Sequence, residues 1–216
     1  MSAYLNLAQV AANIKVLGYG QSRVGIWTQG CILRCPGCSS VHTHNPAGGR
    51  LVAVGTIIDW IRAQARPVTG LTISGGEPTT QASGVLALIQ AFLSAFKRAD
   101  VLMFSGLPWR HLITRHCELV AACDVIIAGP YVKHLPPLPL RGSSNQTVHL
   151  LTDLARERYH DIDHWPVHAA QVVFGNTRVV TVGIPNTDEL TKSLLGNAQF
   201  DPNTASWTQR DQRANQ

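Results

Sequence analysis

Short apolar runs that close on glycine or polar turns recur between residues 20 and 130 of this chain. Val24–Thr28, Gly70–Ser74, Val101–Ser105 and Asp124–Ala128 read as strands, each bounded by turn residues. Between them, Thr56–Gln64 and Gly84–Lys97 space their apolar residues near the helical period. Ile57 and Ile61, and then Leu86, Ile89 and Leu93, mark the inner faces. Trp109–Ala122 predicts a third helix. This alternation predicts parallel βαβ units and an α/β fold. The residues best suited to chemistry follow the strand ends, and in parallel α/β architectures several loops converge at that edge to build a site.

The pattern changes after residue 150. Asp153–His168 is polar and spaces His160, His164 and His168 four apart, but Asp161-Ile162-Asp163 and Trp165-Pro166 interrupt the helix that would align them. Gln171–Phe174 and Arg178–Val182 predict a hairpin about Gly175-Asn176-Thr177. From Asn197 the chain is rich in Asn, Gln, Asp, Thr and Arg, the composition of a mobile tail. The predicted organisation is a core domain over 1–150, an extension over 151–196 and a tail over 197–216.

With 216 residues, 45% of them hydrophobic, the chain can bury a real core. Its longest apolar runs are short and broken by Gly, Arg or Asp, so no membrane span is expected. The first residues lack the basic stretch and long apolar run of a secretory signal. Residues 1–150 carry 12 basic and 5 acidic side chains, residues 151–216 carry 6 and 8. A basic body suits nucleic acid, nucleotides or an acidic protein, but these arginines are scattered, without a Lys/Arg run or an aromatic ladder. They read as a solvated surface, and nucleic acid is not expected as a partner. The cysteine count is five, odd and tightly clustered, which argues against a disulfide framework and for a reducing cytoplasm. Cys117 and Cys123 lie in apolar contexts and are expected as buried free thiols.

The other three cysteines, Cys31, Cys35 and Cys38, stand within eight residues. Thiols so close cannot share one regular element; they come off a loop and converge on a common object, most simply a metal. Three protein ligands leave one position open, which separates catalytic centres from purely structural ones. Two readings follow: an iron–sulfur cluster with one free iron, or a zinc site completed by His42 or His44. One strand–helix unit later comes Ser74-Gly75-Gly76-Glu77-Pro78, whose paired glycines let backbone approach a ligand and whose carboxylate suits an ammonium. Ser105-Gly106 ends the next strand, and Arg141-Gly142-Ser143-Ser144-Asn145-Gln146 is a donor-rich loop.

Gln29-Gly30-Cys31, the C-x3-C-x2-C spacing closed by Pro36-Gly37-Cys38, Gly75-Gly76-Glu77 and the Arg141–Gln146 loop occur in the order found in the radical S-adenosylmethionine (SAM) proteins. Together they resemble the glycyl-radical activase branch, that of the activating proteins of anaerobic ribonucleotide reductase, over roughly residues 15–150. The resemblance implies an incomplete parallel (βα) barrel with its site at the C-terminal mouth. It also implies one [4Fe-4S] cluster on Cys31, Cys35 and Cys38, with SAM on the fourth iron, cleaved on reduction to a 5′-deoxyadenosyl radical. SAM contacts fall on Gly37, Ser39, Ser74, Gly75, Gly76, Glu77, Ser105, Ser143 and Asn145. The implied partners are a glycyl radical enzyme as protein substrate and a flavodoxin or ferredoxin as electron donor. Two departures keep other substrates open: Ser39-Ser40 replaces the aromatic pair usual after the third cysteine, and about 65 residues follow Gln146. The alternatives are a radical SAM enzyme acting on a peptide or small molecule, and a non-catalytic zinc or iron–sulfur adaptor.

Overall fold

In the computed structural model, residues 3–167, 170–174, 179–183, 198–201 and 206–209 are described. Seven strands form one sheet: β1 (Tyr4–Ile14), β2 (Arg23–Thr28), β3 (Arg50–Ala53), β4 (Gly70–Gly75), β5 (Asp100–Ser105), β6 (Val125–Ala128) and β7 (Thr147–Leu150). Their order is β3-β1-β2-β4-β5-β6-β7. The four strands predicted from the sequence, β2, β4, β5 and β6, are mutually parallel. The sheet is parallel only in that centre, however, because β1 and β3 run antiparallel on one side and β7 on the other.

The first two predicted helices are present, and the first buries the expected Ile57 and Ile61; in the second the inner face is turned, so that Ile89 is buried as expected but Leu86 and Leu93 are only half-buried. α1 (Val54–Arg62) buries Val54, Ile57, Ile58 and Ile61, and α2 (Ala82–Ala95) buries Val85, Leu88, Ile89 and Phe92, both at i, i+3, i+4, i+7. The predicted third helix is two, α3 (Trp109–Arg115) and α4 (Cys117–Ala121), because His116 at φ −135° leaves the helical region. These helices cover one face of the sheet, where Val24, Ile26, Leu71, Ile73, Val101, Met103, Ile126 and Ala128 meet them.

The opposite face is covered by the extension. α5 (Asp153–Arg158) and the turn after it bring Ala155, Tyr159 and Ile162 onto Leu102, Val125 and Ile127. The predicted hairpin is present as β8 (Ala170–Phe174) and β9 (Val179–Gly183), and its Val173 and Val182 pack with Ile14, Leu17 and Trp27. The extension therefore shares the core of the preceding 150 residues. Within the predicted mobile tail, β10 (Ala198–Asp201) pairs antiparallel with β11 (Ser206–Gln209); the remaining tail positions, the hairpin's turn and His168 lie outside the described residues.

Below the sheet, at the N-terminal ends of the parallel strands, lies a buried polar network. The Arg23 guanidinium donates to both Asp100 oxygens at 2.9 Å, to Thr72 Oγ1 and to Leu71 O, with both charged side chains fully buried. Asp100 also accepts from Arg158 at 2.7 Å and from the Tyr159 hydroxyl at 2.8 Å. Of the two other cysteines, Cys123 is buried as expected and burial pushes its thiol far up, with Asp124 adding to the effect. Cys117 is exposed, contrary to expectation, because it opens α4 just past the bend at His116.

Candidate active site

The site is built at the C-terminal ends of the parallel strands, as the sequence led us to expect. β2 ends at Thr28, and the chain then passes through Gly30, at φ +97°, into the cysteine loop. The returning segment closes this loop at its base. Gly30 N–H donates to Thr43 O at 2.7 Å and Cys31 N–H to His44 O at 3.2 Å, while the Gln29 amide donates to Asn45 O and His42 O. Asn6 on β1 and Gln81 after β4 hold the same base: Gln81 Nε2 donates to both Asn6 O and Gln29 O at 2.9 Å. The base is rigid because three elements share it.

The loop above is tightly turned. Arg34 and Gly37 have φ of +47° and +76°, and Cys38 N–H donates to Cys35 O at 3.2 Å. All three cysteines are half-buried. Burial pushes the Cys38 thiol up; the N–H of Ser40, donating to its sulfur at 3.3 Å, opposes this, and negative charge on Cys35 and Cys31 adds to it. Leu33 reaches from the loop to the end of β5, its Cδ1 filling the space a Cβ at Gly106 would take. Lys133, from the segment after β6, covers Gly37 in the same way. Neither Leu33 nor Lys133 was marked by the sequence, since a loop leucine and a surface lysine carry no local signal.

Gly75 and Gly76 earn their place by sterics. A Cβ at Gly75, at φ +105°, would lie 2.5 Å from Thr28 N, and one at Gly76 would overlap Gly30 O. Gly76 N–H donates to Thr28 O at 2.8 Å and Glu77 N–H to Gly30 O at 2.9 Å, so β4 ends flush against the base of the cysteine loop. Ser74 is half-buried on the face opposite Leu71 and Ile73.

Several predicted ligand contacts are engaged within the protein. The Glu77 carboxylate, 1% exposed, accepts from Thr79 N–H and Thr79 Oγ1, from Ser105 Oγ at 2.9 Å and from Gly106 N–H at 2.8 Å. It joins the ends of β4 and β5. Ser105 is buried by that bond, and Ser143, fully buried, accepts from Val132 N–H at 3.1 Å. Asn145 donates to Pro130 O, and Gln146 accepts from Gly142 N–H and donates to Gly129 O. The donor-rich loop uses these side chains to hold its own shape. Ser39 is exposed beside Cys38 and free to face a ligand.

The donor set fits an iron–sulfur cluster. Three soft thiols come off one loop over a backbone junction that only glycine fits. Both ring nitrogens of His42 and Nε2 of His44, which follow this loop, are buried and meet no partner. Burial lowers the pKa of both; each is depressed further by a neighbouring cation, His44 for His42 and Arg34 for His44.

Residues 16–149 match the family described as the 4Fe-4S single cluster domain. This chain belongs to that family. Its cofactor is accordingly a single [4Fe-4S] cluster, and the likeness to the radical SAM activases read from the motifs is borne out. The anaerobic ribonucleoside-triphosphate reductase-activating protein of Enterobacteria phage T4 is 30% identical over 135 residues, 61% of this chain and 85% of that protein. The protein of the same name from Escherichia coli K12 is 28% identical over 137 residues, 60% of this chain and 89% of that one. Superposed on QueE from Escherichia coli, the match covers 58% of this chain and 71% of that one at 15% identity and TM-score 0.42. The family match ends at residue 149, so the extension lies outside the family's bounds.

Proposed function

We propose that this chain is a radical SAM activase that abstracts hydrogen from a glycine Cα of a partner enzyme, the partner being an anaerobic ribonucleotide reductase. The observation that carries this reading is a loop of three thiols set on a glycine-only junction, in a chain spanning 85% and 89% of two activating proteins. Cys31, Cys35 and Cys38 would hold three irons of the cluster, which leaves one iron without a protein ligand for SAM. Once bound, these groups supply on one-electron reduction a 5′-deoxyadenosyl radical able to take a hydrogen atom.

The chain's own residues prepare that chemistry. The thiols of Cys31, Cys35 and Cys38 give up their protons to bind, and the Ser40 N–H steadies the thiolate of Cys38. Gly75 and Gly76 keep β4 backbone within reach of the loop, and Gly37, Ser39 and Ser74 would offer small or hydroxyl-bearing contacts around SAM. Glu77 acts through the loops it joins, keeping Ser105 and Gly106 at the rim. Trp27 and Phe104, beside the hairpin's Val173 and Val182, keep water from the inner face. In this reading β2, β4, β5 and β6 are the wall of an incomplete (βα) barrel, open enough to admit a glycine-bearing loop. A glycine Cα–H is the suitable target because flanking amides stabilise the resulting radical. A flavodoxin or ferredoxin would deliver the electron. Among the described residues no helix is long and apolar enough to cross a membrane, and a cytoplasmic setting agrees with the free thiols.

The test is anaerobic iron–sulfur reconstitution followed by dithionite, SAM and an anaerobic ribonucleotide reductase. We expect 5′-deoxyadenosine by chromatography and a glycyl radical signal on the reductase by electron paramagnetic resonance, both absent in Cys38→Ala. A cluster-loaded protein that leaves SAM intact overturns the enzyme class. SAM cleavage with no glycyl radical overturns the substrate.

A further inference from the structure

Among the described residues, three buried side-chain nitrogens or oxygens have no hydrogen-bond partner, and all three are on the histidines that follow the cysteine loop. They are Nδ1 and Nε2 of His42 and Nε2 of His44. Such atoms carry the cost of lost hydration with nothing in return, so in a native fold each calls for a partner that the polypeptide does not supply. The backbone around them is fully engaged: Thr43 N–H donates to Ser40 O at 2.9 Å and His44 N–H to Val41 O at 3.0 Å. The carbonyl oxygens of His42 and His44 accept from Gln29 Nε2 and Cys31 N–H, each at 3.2 Å. The backbone that carries the two rings is therefore anchored at the base of the loop that carries the thiols. His44 and Cys31 also line one cavity of about 560 Å³, together with Gln29, Arg34 and Thr80.

We propose that His42 and His44 donate ring N–H groups to sulfur atoms of the cluster held on Cys31, Cys35 and Cys38, and thereby raise its reduction potential. The inference rests on the cluster assignment above. A neutral imidazole has one N–H to give, and sulfur carrying partial negative charge accepts it. Reduction adds negative charge to the cluster, so N–H donors stabilise the reduced form more than the oxidised one. No neighbouring side chain competes for these donors, since the rings' nitrogens meet none of the polar groups around them.

His42→Phe and His44→Phe keep a flat ring and remove the donor; His42→Gln and His44→Gln restore an N–H of different shape. In the full-length reconstituted protein, a redox titration followed by electron paramagnetic resonance should show a lower midpoint potential in each Phe variant, at wild-type iron and sulfide content. The Gln variants should recover part of the shift. Melting of the apo protein should be unchanged or raised in the Phe variants, because an unpartnered buried nitrogen has been removed. Wild-type potentials in both Phe variants at full iron content overturn the proposal. So does a shift that Gln leaves unrecovered and that comes with a lower apo melting temperature, the mark of a merely structural role. Failure of the cluster assignment is separate: the wild-type protein itself would then show no [4Fe-4S] signal.

Discussion

At the scale of single residues, the same amino acids that mark the site also hold it together. Glu77 is the clearest case, with four donors converging on one buried carboxylate. Glu77→Ala leaves those donors without an acceptor, and we expect about 2 kcal/mol lower stability in urea unfolding of the apo protein. An unchanged midpoint would show that the carboxylate is no structural tie. Cys31, Cys35 and Cys38 were legible in the sequence because their spacing excludes any regular element. The internal bonds of Glu77, Ser105 and Ser143 were not, because a hydroxyl or carboxylate meets an internal donor or a ligand according to where distant loops fall. Gly76 was marked for its freedom of backbone, but its decisive property is the room it leaves for Gly30, 46 residues earlier.

At the scale of elements, the central strands and the positions of the first two helices followed their patterns, whereas the inner face of α2 and the sheet's edges did not. β1 has register irregularities between Leu7 and Gln9 and between Ala11 and Ile14. Its buried set moves from Leu5 and Leu7 on the helix-covered face to Ala11 and Ile14 on the other, which erases the period-two signal. β7 is short and half-exposed, and is held to α3 by the stack of His149 on Trp109, with ring centroids 3.7 Å apart. Burial holds the pKa of His149 below its usual 6.5. Between the two values the unfolded chain binds more protons than the folded one, so stability rises with pH there and falls as pH drops below about 6.5. The apo protein should melt lower at about pH 5.5 than at about pH 7.5, and His149→Phe should narrow that gap. An equal gap in the variant would remove His149 from the pH dependence.

At the scale of the molecule, the site at one end of the parallel strands is balanced by a polar anchor at the other. Asp100 receives Arg23 from β2 and Arg158 and Tyr159 from the extension, tying the last described helix to the sheet on which the cysteine loop stands. Asp100→Asn leaves two guanidinium groups without their carboxylate, one of them fully buried, and should cost roughly 3–5 kcal/mol in chemical denaturation. A loss below about 1 kcal/mol would mean that water replaces the carboxylate there. Burial of the sheet's second face by α5 and the hairpin also assigns the extension a part in the core that its composition did not disclose.

The sequence alone determined the parallel strand–helix centre, the strand-end placement of the motifs, and the three thiols converging on one metal centre. Each of these is a matter of local spacing: the period of apolar residues, the turn residues that bound them, and thiols too close to share one element. Only the tertiary structure decided that Gly75 and Gly76 abut Thr28 and Gly30, that Glu77, Ser105 and Ser143 bond within the protein, and that the extension covers a sheet face. It also decided that both ring nitrogens of His42 and Nε2 of His44 are buried without partners. These are contacts between segments far apart in the chain, and a side chain's partner there depends on packing geometry that no local pattern encodes.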